Sequence, residues 1–337
     1  MARYNLEVVT KNRSDKYKNE EQEIKEEVVV KQPKKEKIKK EKIKKEKIKK
    51  IKEPKESKQP EEVKQLHPAL KAILKFLIII TTLFLIYSIF IETNIFYVKE
   101  YNLTEEKLPV SFHGLKIVQI SDINYGSTFT EGDLEKIINK INELNPDIVF
   151  FTGNLIDKSL ILDKENKDIL KKNLSNINTS INKYAIYGSN DKDDFKEVME
   201  ESNFTILDNF ATLLYYKDNT PILIAGLSPN PNYNVLENND EVDLNNIYKI
   251  VLSHDPHIID KIKYYEPNLI LSGKTLGGLI NPGFTKPVVL KKTTKYYKDY
   301  YKINNTKLYV SNGLGTDSIN MRFNNAPSFN FFRLYTK

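Results

Sequence analysis

The sequence predicts an α/β protein with parallel strands, preceded by an apolar helix and a charged tail. Short apolar runs recur along residues 115–335, and each predicts a buried strand. Segments with helical spacing separate most of these runs, which favours parallel strands joined by crossover helices. The composition changes abruptly near residue 70, where a lysine-rich stretch gives way to a long apolar run.

Within the globular part, the predicted elements follow from apolar spacing and from turn residues. The predicted strands are 115–122, 147–151, 184–187, 249–252, 269–271, 308–310 and 329–335. Three further short strands are expected within 205–227, as an antiparallel segment. The predicted helices are 131–144, 164–177, 194–202 and 258–265.

The N-terminal tail, residues 1–66, is predicted to be disordered, because it is almost free of aromatic residues. It carries 22 lysines and arginines against 14 acidic residues, so the excess positive charge of the chain lies here. A five-residue Lys/Glu repeat at about 36–50 places glutamate four residues before lysine, which favours a transient polar helix. A solvated spacer is one interpretation, and contact with anionic lipid or RNA is the other.

Residues 70–92 are predicted to be a transmembrane signal-anchor helix. The stretch 76–91 has no charged residue, and with 72–75 it makes a helix about 30 Å long, the thickness of a bilayer core. A cleaved signal peptide is disfavoured by the long N-terminal region. Because lysines crowd the N-terminal side, we expect a cytoplasmic tail and an extracytoplasmic globular domain at the cell membrane. The predicted organisation is completed by a linker, 93–112, and a domain, 113–337.

Some functional classes are excluded by composition. The chain has no cysteine, which excludes disulfides and thiolate catalysis. Without the tail the charge is close to neutral, which argues against general nucleic-acid binding by the folded part. The stretch Gly273-Lys274-Thr275 has Asn268 where a phosphate-binding P-loop needs its first glycine, so that motif is disfavoured.

Five of the predicted strands end in short polar or glycine-containing loops. The carboxyl ends of parallel strands meet at one edge of a sheet, so these loops are expected to face one another. Their marker residues are Asp122, Asn154, Asn190, His254 and Lys274.

The order of these loops resembles the calcineurin-like metallophosphoesterase family, in particular its bacterial membrane-anchored branch, over residues 115–334. The phrases that carry the resemblance are Asp122-Ile123-Asn124, Gly153-Asn154, Gly188-Ser189-Asn190-Asp191, Ser253-His254-Asp255-Pro256, Gly273-Lys274-Thr275-Leu276-Gly277-Gly278 and Met321 to Pro327. The resemblance implies a four-layer α/β/β/α sandwich. It also implies two divalent metal ions, Mn, Fe or Zn, that activate water against a phosphate ester.

Most positions at which that family holds its metals carry other residues here. The seven expected positions are Asp122, Asn124, Asn154, Ser189, His254, Lys274 and Leu276, and only Asp122 and His254 keep the family residue. Asn190 replaces the histidine that assists the leaving group. Neutral amides are weak ligands and an ammonium repels a cation, so neither a bound metal nor a catalytic residue is expected. The glycines that would keep the loop shape are Gly153, Gly188, Gly273, Gly277 and Gly278.

The sequence therefore predicts a catalytically degenerate, membrane-anchored binding or regulatory module for an unknown envelope ligand or protein partner. The alternative is a divergent metal-dependent phosphoesterase that acts on phospholipid or cell-wall phosphate esters. A third is a membrane tether whose tail acts inside the cell. One further hypothesis is that the Lys274 ammonium replaces a metal and neutralises Asp122, against the alternative that it points to solvent.

Overall fold

The computed structural model describes residues 66–126, 128–237, 243–288, 294–317 and 319–337. The predicted disordered tail and its Lys/Glu repeat lie outside the described residues, apart from Leu66.

Helices and strands alternate over residues 115–206, and strands predominate in the rest of the domain. The helices are α1 (Pro68–Ile86), α2 (Glu131–Glu143), α3 (Lys164–Ser175), α4 (Asp193–Glu201) and α5 (Ile259–Ile262). The strands are β1 (Tyr97–Glu105), β2 (Leu115–Ile120), β3 (Ile148–Phe151), β4 (Asn182–Ala185), β5 (Thr205–Ile206), β6 (Phe210–Leu214), β7 (Ile222–Leu227), β8 (Lys249–Ser253), β9 (Leu269–Ser272), β10 (Tyr300–Ile303), β11 (Thr306–Val310) and β12 (Ser328–Thr336).

The strands form two six-stranded sheets, in the orders β1-β12-β2-β3-β4-β5 and β10-β11-β9-β8-β7-β6. In the first sheet β2, β3, β4 and β5 are parallel, and in the second β7, β8, β9 and β11 are parallel. The antiparallel pairs are β12 with β2, β6 with β7, and β10 with β11. The central strands of each sheet therefore end at one common edge.

The core is layered, because the central strands are buried on both faces, as parallel strands flanked by other layers usually are. In β2, Ile117 lies in the cluster between the two sheets, whereas its neighbour Val118 faces the helices α2, α3 and α4. On the far side of the second sheet, Ile259 and Ile262 of α5 pack on Val251. The predicted four-layer α/β/β/α sandwich is confirmed.

The predicted helix at 131–144 is confirmed by α2, and its start has a local cause. The Thr130 hydroxyl accepts from the backbone N–H of Asp133, and the Asp133 carboxylate accepts from the backbone N–H of Thr130. Such a capping box satisfies two otherwise unpaired donors at a helix start. This fixes where the chain leaves the loop that follows β2.

Three sequence-based predictions need correction. The predicted linker 93–112 contains β1, which pairs in parallel with β12 along its whole length. The segment 205–227 is not wholly antiparallel, since β5 joins the first sheet in parallel with β4. The predicted helix 258–265 is a single α-helical turn, α5, between two 3-10 turns. β10 was not predicted at all.

The apolar helix α1 continues through a π-helical turn, Tyr87–Ile91, and a 3-10 turn, Glu92–Asn94. Together these 27 residues are long and apolar enough to cross a membrane. No residue of α1 itself is buried, and large apolar side chains such as Ile78 and Phe76 are more than 60% exposed. An apolar helix without a protein cover on its faces is typical of a lipid-embedded segment.

Candidate functional site

The loops at the carboxyl ends of β2, β3, β4, β8 and β9 come together in one crevice, as the sequence predicts. The backbone N–H of Asp122 donates to the Gly153 carbonyl, and that of Gly273 donates to the His254 carbonyl. The backbone N–H of Asn190 donates to Oδ1 of Asn154, at 3.0 Å. The crevice is thus held by hydrogen bonds between loops of both sheets.

Asp122 lies at the centre of the crevice and is fully buried. Its Oδ1 accepts a hydrogen bond from Nδ2 of Asn154, at 2.9 Å. Its Oδ2 accepts from the Ser121 hydroxyl at 2.7 Å and from the backbone N–H of Lys274 at 2.9 Å. Both carboxylate oxygens are therefore satisfied by donors from the protein itself.

His254 is the second position that keeps the family residue, and its two ring nitrogens differ. Nδ1 lies 2.7 Å from the carbonyl oxygen of Thr152, so Nδ1 carries the hydrogen. Nε2 is buried, has no hydrogen-bond partner among the described residues, and lies 3.7 Å from Oδ1 of Asp122. In the neutral ring this leaves a lone pair directed into the crevice.

The remaining substituted positions of the crevice differ in their burial and in their hydrogen bonds. Asn124 is buried, and neither atom of its amide has a hydrogen-bond partner among the described residues. Ser189 is exposed, and Asn190 is half-buried. Leu276 is 4% exposed and lies close to Asp122, since a Cβ added to Gly313 would be 2.6 Å from Cδ2 of Leu276 and 2.8 Å from Cβ of Asp122. An apolar side chain thus occupies space beside the central carboxylate.

The hypothesis that Lys274 neutralises Asp122 is wrong for its side chain. The Lys274 ammonium is 2.5 Å from Oδ2 of Asp255, and both side chains are 42% exposed. Burial raises the pKa of Asp255, but hydrogen bonds from Lys274 and His257 outweigh it and bring the pKa down to about 2. Lys274 reaches Asp122 only through its backbone N–H.

The cation near Asp122 is instead Arg322, to which the sequence analysis gave no role. Arg322 is fully buried, and its guanidinium donates to the carbonyls of Asn312 and Asn325, each at 3.0 Å. Burial lowers its pKa to about 10, while the charges of Asp122 and Glu92 act in the opposite direction. The signal in the sequence was a lone arginine in the stretch Met321 to Pro327.

Asp191, which residue spacing alone did not mark as a site residue, also holds the crevice together. Its Oδ2 accepts from the backbone N–H groups of Asn154 and Gly188, at 2.8 and 2.7 Å. Its Oδ1 accepts from the backbone N–H of Leu155 at 2.9 Å. Burial raises the pKa of this carboxyl, against the effect of those three donors and of His254. The loops after β3 and β4 are therefore tied by one carboxylate.

The backbone of the crevice is unusual, since several of its residues other than glycine have positive φ. The φ angles are 51° at Asp122, 60° at Asn154, 70° at Lys274 and 49° at Leu276. Lysine and leucine adopt this region rarely, and each such residue costs on the order of 1 kcal/mol. The loops thus keep a positive φ even at Lys274 and Leu276, whose side chains disfavour it.

The glycines of the crevice allow its loops to touch. A Cβ added to Gly153 would lie 2.5 Å from the backbone of Gly188, so these two loops meet without side chains between them. A Cβ on Gly273 would collide with the Ser121 hydroxyl. Close backbone approach of this kind requires glycine.

A pocket of about 230 Å³ opens beside the crevice, and we call it the basic pocket. It is lined by Ser189, Leu227, Ser228, Pro229, Pro231, Ser253, His254, Asp255, His257, Ile258, Lys261 and Lys274. Among the described residues, no group of three or more histidine and acidic side chains is placed to hold a metal ion.

Comparison with known proteins relates this crevice to one family. The sequence model of calcineurin-like phosphoesterases matches residues 115–306. An uncharacterised metallophosphoesterase of Bacillus subtilis, YkuE, is 31% identical over 74% of this chain and 88% of its own length. An uncharacterised metallophosphoesterase of Aquifex aeolicus is 28% identical over 70% of this chain and 91% of its own.

A relative from Danio rerio is described as a transmembrane protein with a metallophosphoesterase domain. It is 24% identical over 73% of this chain and 59% of its own length. The family match spans the loops after β2, β3, β4, β8 and β9, which are the loops that build the crevice. The chain belongs to the calcineurin-like phosphoesterase family.

Proposed function

We propose that this protein is a membrane-anchored, catalytically silent member of its family, which binds a ligand in the crevice without cleaving it. The observation that carries this proposal is the hydrogen bond from the Asn154 amide to Asp122. The family pattern places a carboxylate at position 154, where it would bridge two metals. Here the NH₂ group of Asn154 donates a hydrogen bond to the Asp122 carboxylate. It therefore takes the place of a metal ion shared by two carboxylates.

The donor set of the crevice supports this interpretation. A divalent cation bound by protein needs about four to six good ligands, and the seven expected ligand positions offer one carboxylate, Asp122, and one imidazole, His254. The carboxylate of Asp191 is already engaged by three backbone N–H groups. Lys274 brings a positive charge to another ligand position, and Leu276 brings a hydrocarbon side chain. These residues do not fit a two-metal centre, so no step of a reaction is assigned to one.

Binding is supported by polar groups that the protein leaves unpaired. The amide of Asn124 and Nε2 of His254 are buried without a partner among the described residues. A buried polar group without a partner costs about 1–3 kcal/mol, so a ligand or a solvent molecule that pairs with it is favoured. The crevice therefore keeps hydrogen-bonding capacity that its own fold does not use.

The basic pocket indicates the chemistry of the ligand. Lys261, Lys274 and His257 line it, together with Asp255, whose carboxylate is bonded to both Lys274 and His257. Pro229 and Pro231 give it an apolar wall. Such a site suits an anionic group attached to a less polar body, and a phosphorylated envelope compound has that character. A protein partner that presents a phosphate or carboxylate would meet the same groups.

The first experiment asks whether metal and turnover are present. The purified full-length chain is assayed in detergent by elemental analysis and with bis(p-nitrophenyl) phosphate, before and after incubation with Mn²⁺. We expect metal far below one equivalent and no hydrolysis above background. Stoichiometric Mn, Fe or Zn together with turnover would instead establish the divergent phosphoesterase.

A restored variant serves as the matched positive control. It carries Asn124→His, Asn154→Asp, Ser189→Asn, Asn190→His, Lys274→His and Leu276→His, which returns every altered position to the family residue. Because the loop backbone is preserved, we expect this variant to bind Mn²⁺ and the parent chain not to.

The second experiment tests binding, with inorganic phosphate as the probe. We expect phosphate to raise the midpoint of thermal unfolding of the parent chain. The increase should be smaller in Lys261→Glu, whose charge lies on the pocket rim, and unchanged in Lys196→Glu on α4. Equal shifts in all three proteins would remove the basic pocket from the proposal.

The membrane topology is tested separately. Lys71 and Lys75 flank the apolar run of α1, so the tail is proposed to lie in the cytoplasm and the domain outside. The chain has no cysteine, so Asn304→Cys on the exposed β10–β11 turn creates a single label site. A membrane-impermeant maleimide should label this variant in intact cells, and a tail variant, Ser14→Cys, only after lysis.

A further inference from the structure

We propose that a second cleft, beside the exit of the apolar helix, holds the phosphate headgroup of an anionic phospholipid from the bilayer that contains α1. This inference rests on the membrane anchoring proposed above. The cleft, which we call the anchor cleft, measures about 670 Å³. Its lining includes Asn281, Phe284, Lys286, Asp299, Asn324 and Asn325.

The helical segment that ends at Asn94 is bound directly to the rim of this cleft by hydrogen bonds and a ring contact. The Glu92 carboxylate accepts from the backbone N–H groups of Asn324 and Asn325, at 2.9 and 2.5 Å. The ring of Phe323 lies 4.8 Å from that of Phe84, between centroids. Glu92 is 3% exposed, although it carries a charge at the end of an apolar helix. The position of the cleft relative to the helix is therefore fixed.

These contacts set the depth of the domain in the bilayer. The residues from Pro68 to Leu83, which precede the first contact with the domain, make about 24 Å of helix. A bilayer core is about 30 Å thick, so the turns from Phe84 onward must supply the rest. On those turns Ile86 and Phe90 remain 45% and 67% exposed. The loop around Phe323 must consequently reach the bilayer interface.

The rim of the anchor cleft lies beside the loop around Phe323 and therefore also at the bilayer interface. The backbone N–H of Asn281 donates to the Phe323 carbonyl at 2.9 Å, and that of Phe323 donates to the Leu279 carbonyl at 3.0 Å. The chain then runs to Phe284 and Val288, which are 89% and 65% exposed. Large apolar side chains exposed next to a membrane anchor have lipid as their natural cover.

The charge of the lining matches a phosphate. Three lysines line the anchor cleft, namely Lys99, Lys286 and Lys298, and the acidic residue among its lining is Asp299. Lys99 is paired with Asp299 at 2.6 Å, and the Lys286 ammonium donates one hydrogen bond to the Thr294 carbonyl, also at 2.6 Å. With three lysines and one aspartate, the lining as a whole carries a net positive charge. A phospholipid whose phosphate lies near Lys286 and Lys298 would place its acyl chains alongside Phe284.

The test uses the absence of tryptophan from the chain, so that each variant carries a single reporter. Phe284→Trp is the rim reporter, and Ile79→Trp is the span reporter in the middle of the apolar run. Tyr264→Trp is the remote reporter. It is an exposed site before the amino end of β9, whereas the cleft lies beyond the carboxyl end of that strand. The full-length variants are reconstituted in vesicles of phosphatidylcholine and phosphatidylglycerol at 7:3. Two sets of vesicles are prepared, one in which phosphatidylcholine carries brominated acyl chains and one in which phosphatidylglycerol does. Brominated chains quench the fluorescence of nearby tryptophan.

We expect strong quenching of the span reporter and of the rim reporter, and little quenching of the remote reporter. Per brominated lipid, phosphatidylglycerol should quench the rim reporter at least twice as strongly as phosphatidylcholine. The substitutions Lys286→Glu and Lys298→Glu together should abolish that preference, whereas Lys196→Glu on α4 should leave it unchanged.

The opposing outcomes are distinct. Quenching of the rim reporter no greater than that of the remote reporter, with the span reporter quenched, would overturn this inference and leave the anchoring intact. Equal quenching of the rim reporter by the two lipids would overturn headgroup recognition. An unquenched span reporter would overturn the anchoring, and the inference with it.

Discussion

The side-chain amide of Asn154 donates a hydrogen bond to Oδ1 of Asp122 across 2.9 Å, inside a buried crevice. The same amide accepts from the backbone N–H of Asn190 through its oxygen, so its orientation is fixed. A carboxylate at position 154 would lose this donor and place two negative charges within hydrogen-bonding distance. The neutral amide is therefore required as long as no cation lies between the two side chains.

The first prediction concerns this pair. Asn154→Asp should lower the free energy of unfolding by about 3 kcal/mol, because an unpaired charge is buried beside another of the same sign. The loss should be smaller at acidic pH, where one carboxyl becomes protonated. Urea denaturation in mild detergent measures it, with Asn304→Asp as the control, since Asn304 has a similar φ of 55° on an exposed turn. Equal losses in both variants would contradict the argument.

The second prediction concerns Lys274. Lys274→Met should lower the free energy of unfolding by less than about 1 kcal/mol at pH 7, because its partner Asp255 is half-exposed and solvent screens the pair. The folded pKa of Asp255 is about 2, against an ordinary value of 3.8. The contribution is thus present above about pH 4 and is lost as the pH falls through about 2.

The wild-type and Lys274→Met curves should accordingly converge on acidification. A loss of several kcal/mol at pH 7 that disappears in the double variant Lys274→Met/Asp122→Asn would restore the idea that Lys274 neutralises Asp122.

The third prediction concerns Arg322. Arg322→Met should destabilise the domain by about 3–5 kcal/mol, because it leaves Asp122 and Glu92 without their buried counter-charge and several carbonyls without a donor. Arg333→Met is the matched control, since Arg333 pairs with Glu100 at the surface and should contribute less than about 1 kcal/mol. Denaturation of both variants under the same conditions decides between a central and a peripheral role.

The fourth prediction concerns the fastening of the helix. Glu92→Gln should cost about 1–3 kcal/mol, because an amide replaces one of two acceptor oxygens with a donor that faces a backbone N–H. Limited proteolysis should then cut the chain between the helix and β1 faster than in the parent. Glu100→Gln, on the exposed side of β1, should leave the cleavage rate unchanged.

The fold was largely predictable, because the central strands are apolar throughout and end at turn residues. β1 escaped prediction for a physical reason. It is an edge strand, it contains Lys99, Glu100 and Glu105, and it is only partly buried, so no apolar run marks it. β10 is likewise a half-exposed edge strand.

The crevice was predictable in its positions but not in its contacts. Residue spacing located Asp122, Asn154 and His254 at the carboxyl ends of buried strands, and parallel strands of one sheet bring such ends to the same edge. The partner of Lys274 depends on the direction of a long side chain, which residue spacing does not determine. Arg322 comes from the far end of the chain, so only the three-dimensional packing places it near Asp122.

The fastening of Glu92 to Asn324 and Asn325 has a mechanical consequence. The same short loop contains Arg322, whose guanidinium grips the carbonyls beside Asp122. A change in the tilt of the helix, as bilayer thickness varies, would pull on this loop and so on the floor of the crevice. A force on the helix would therefore reach the crevice through one short hydrogen-bonded loop.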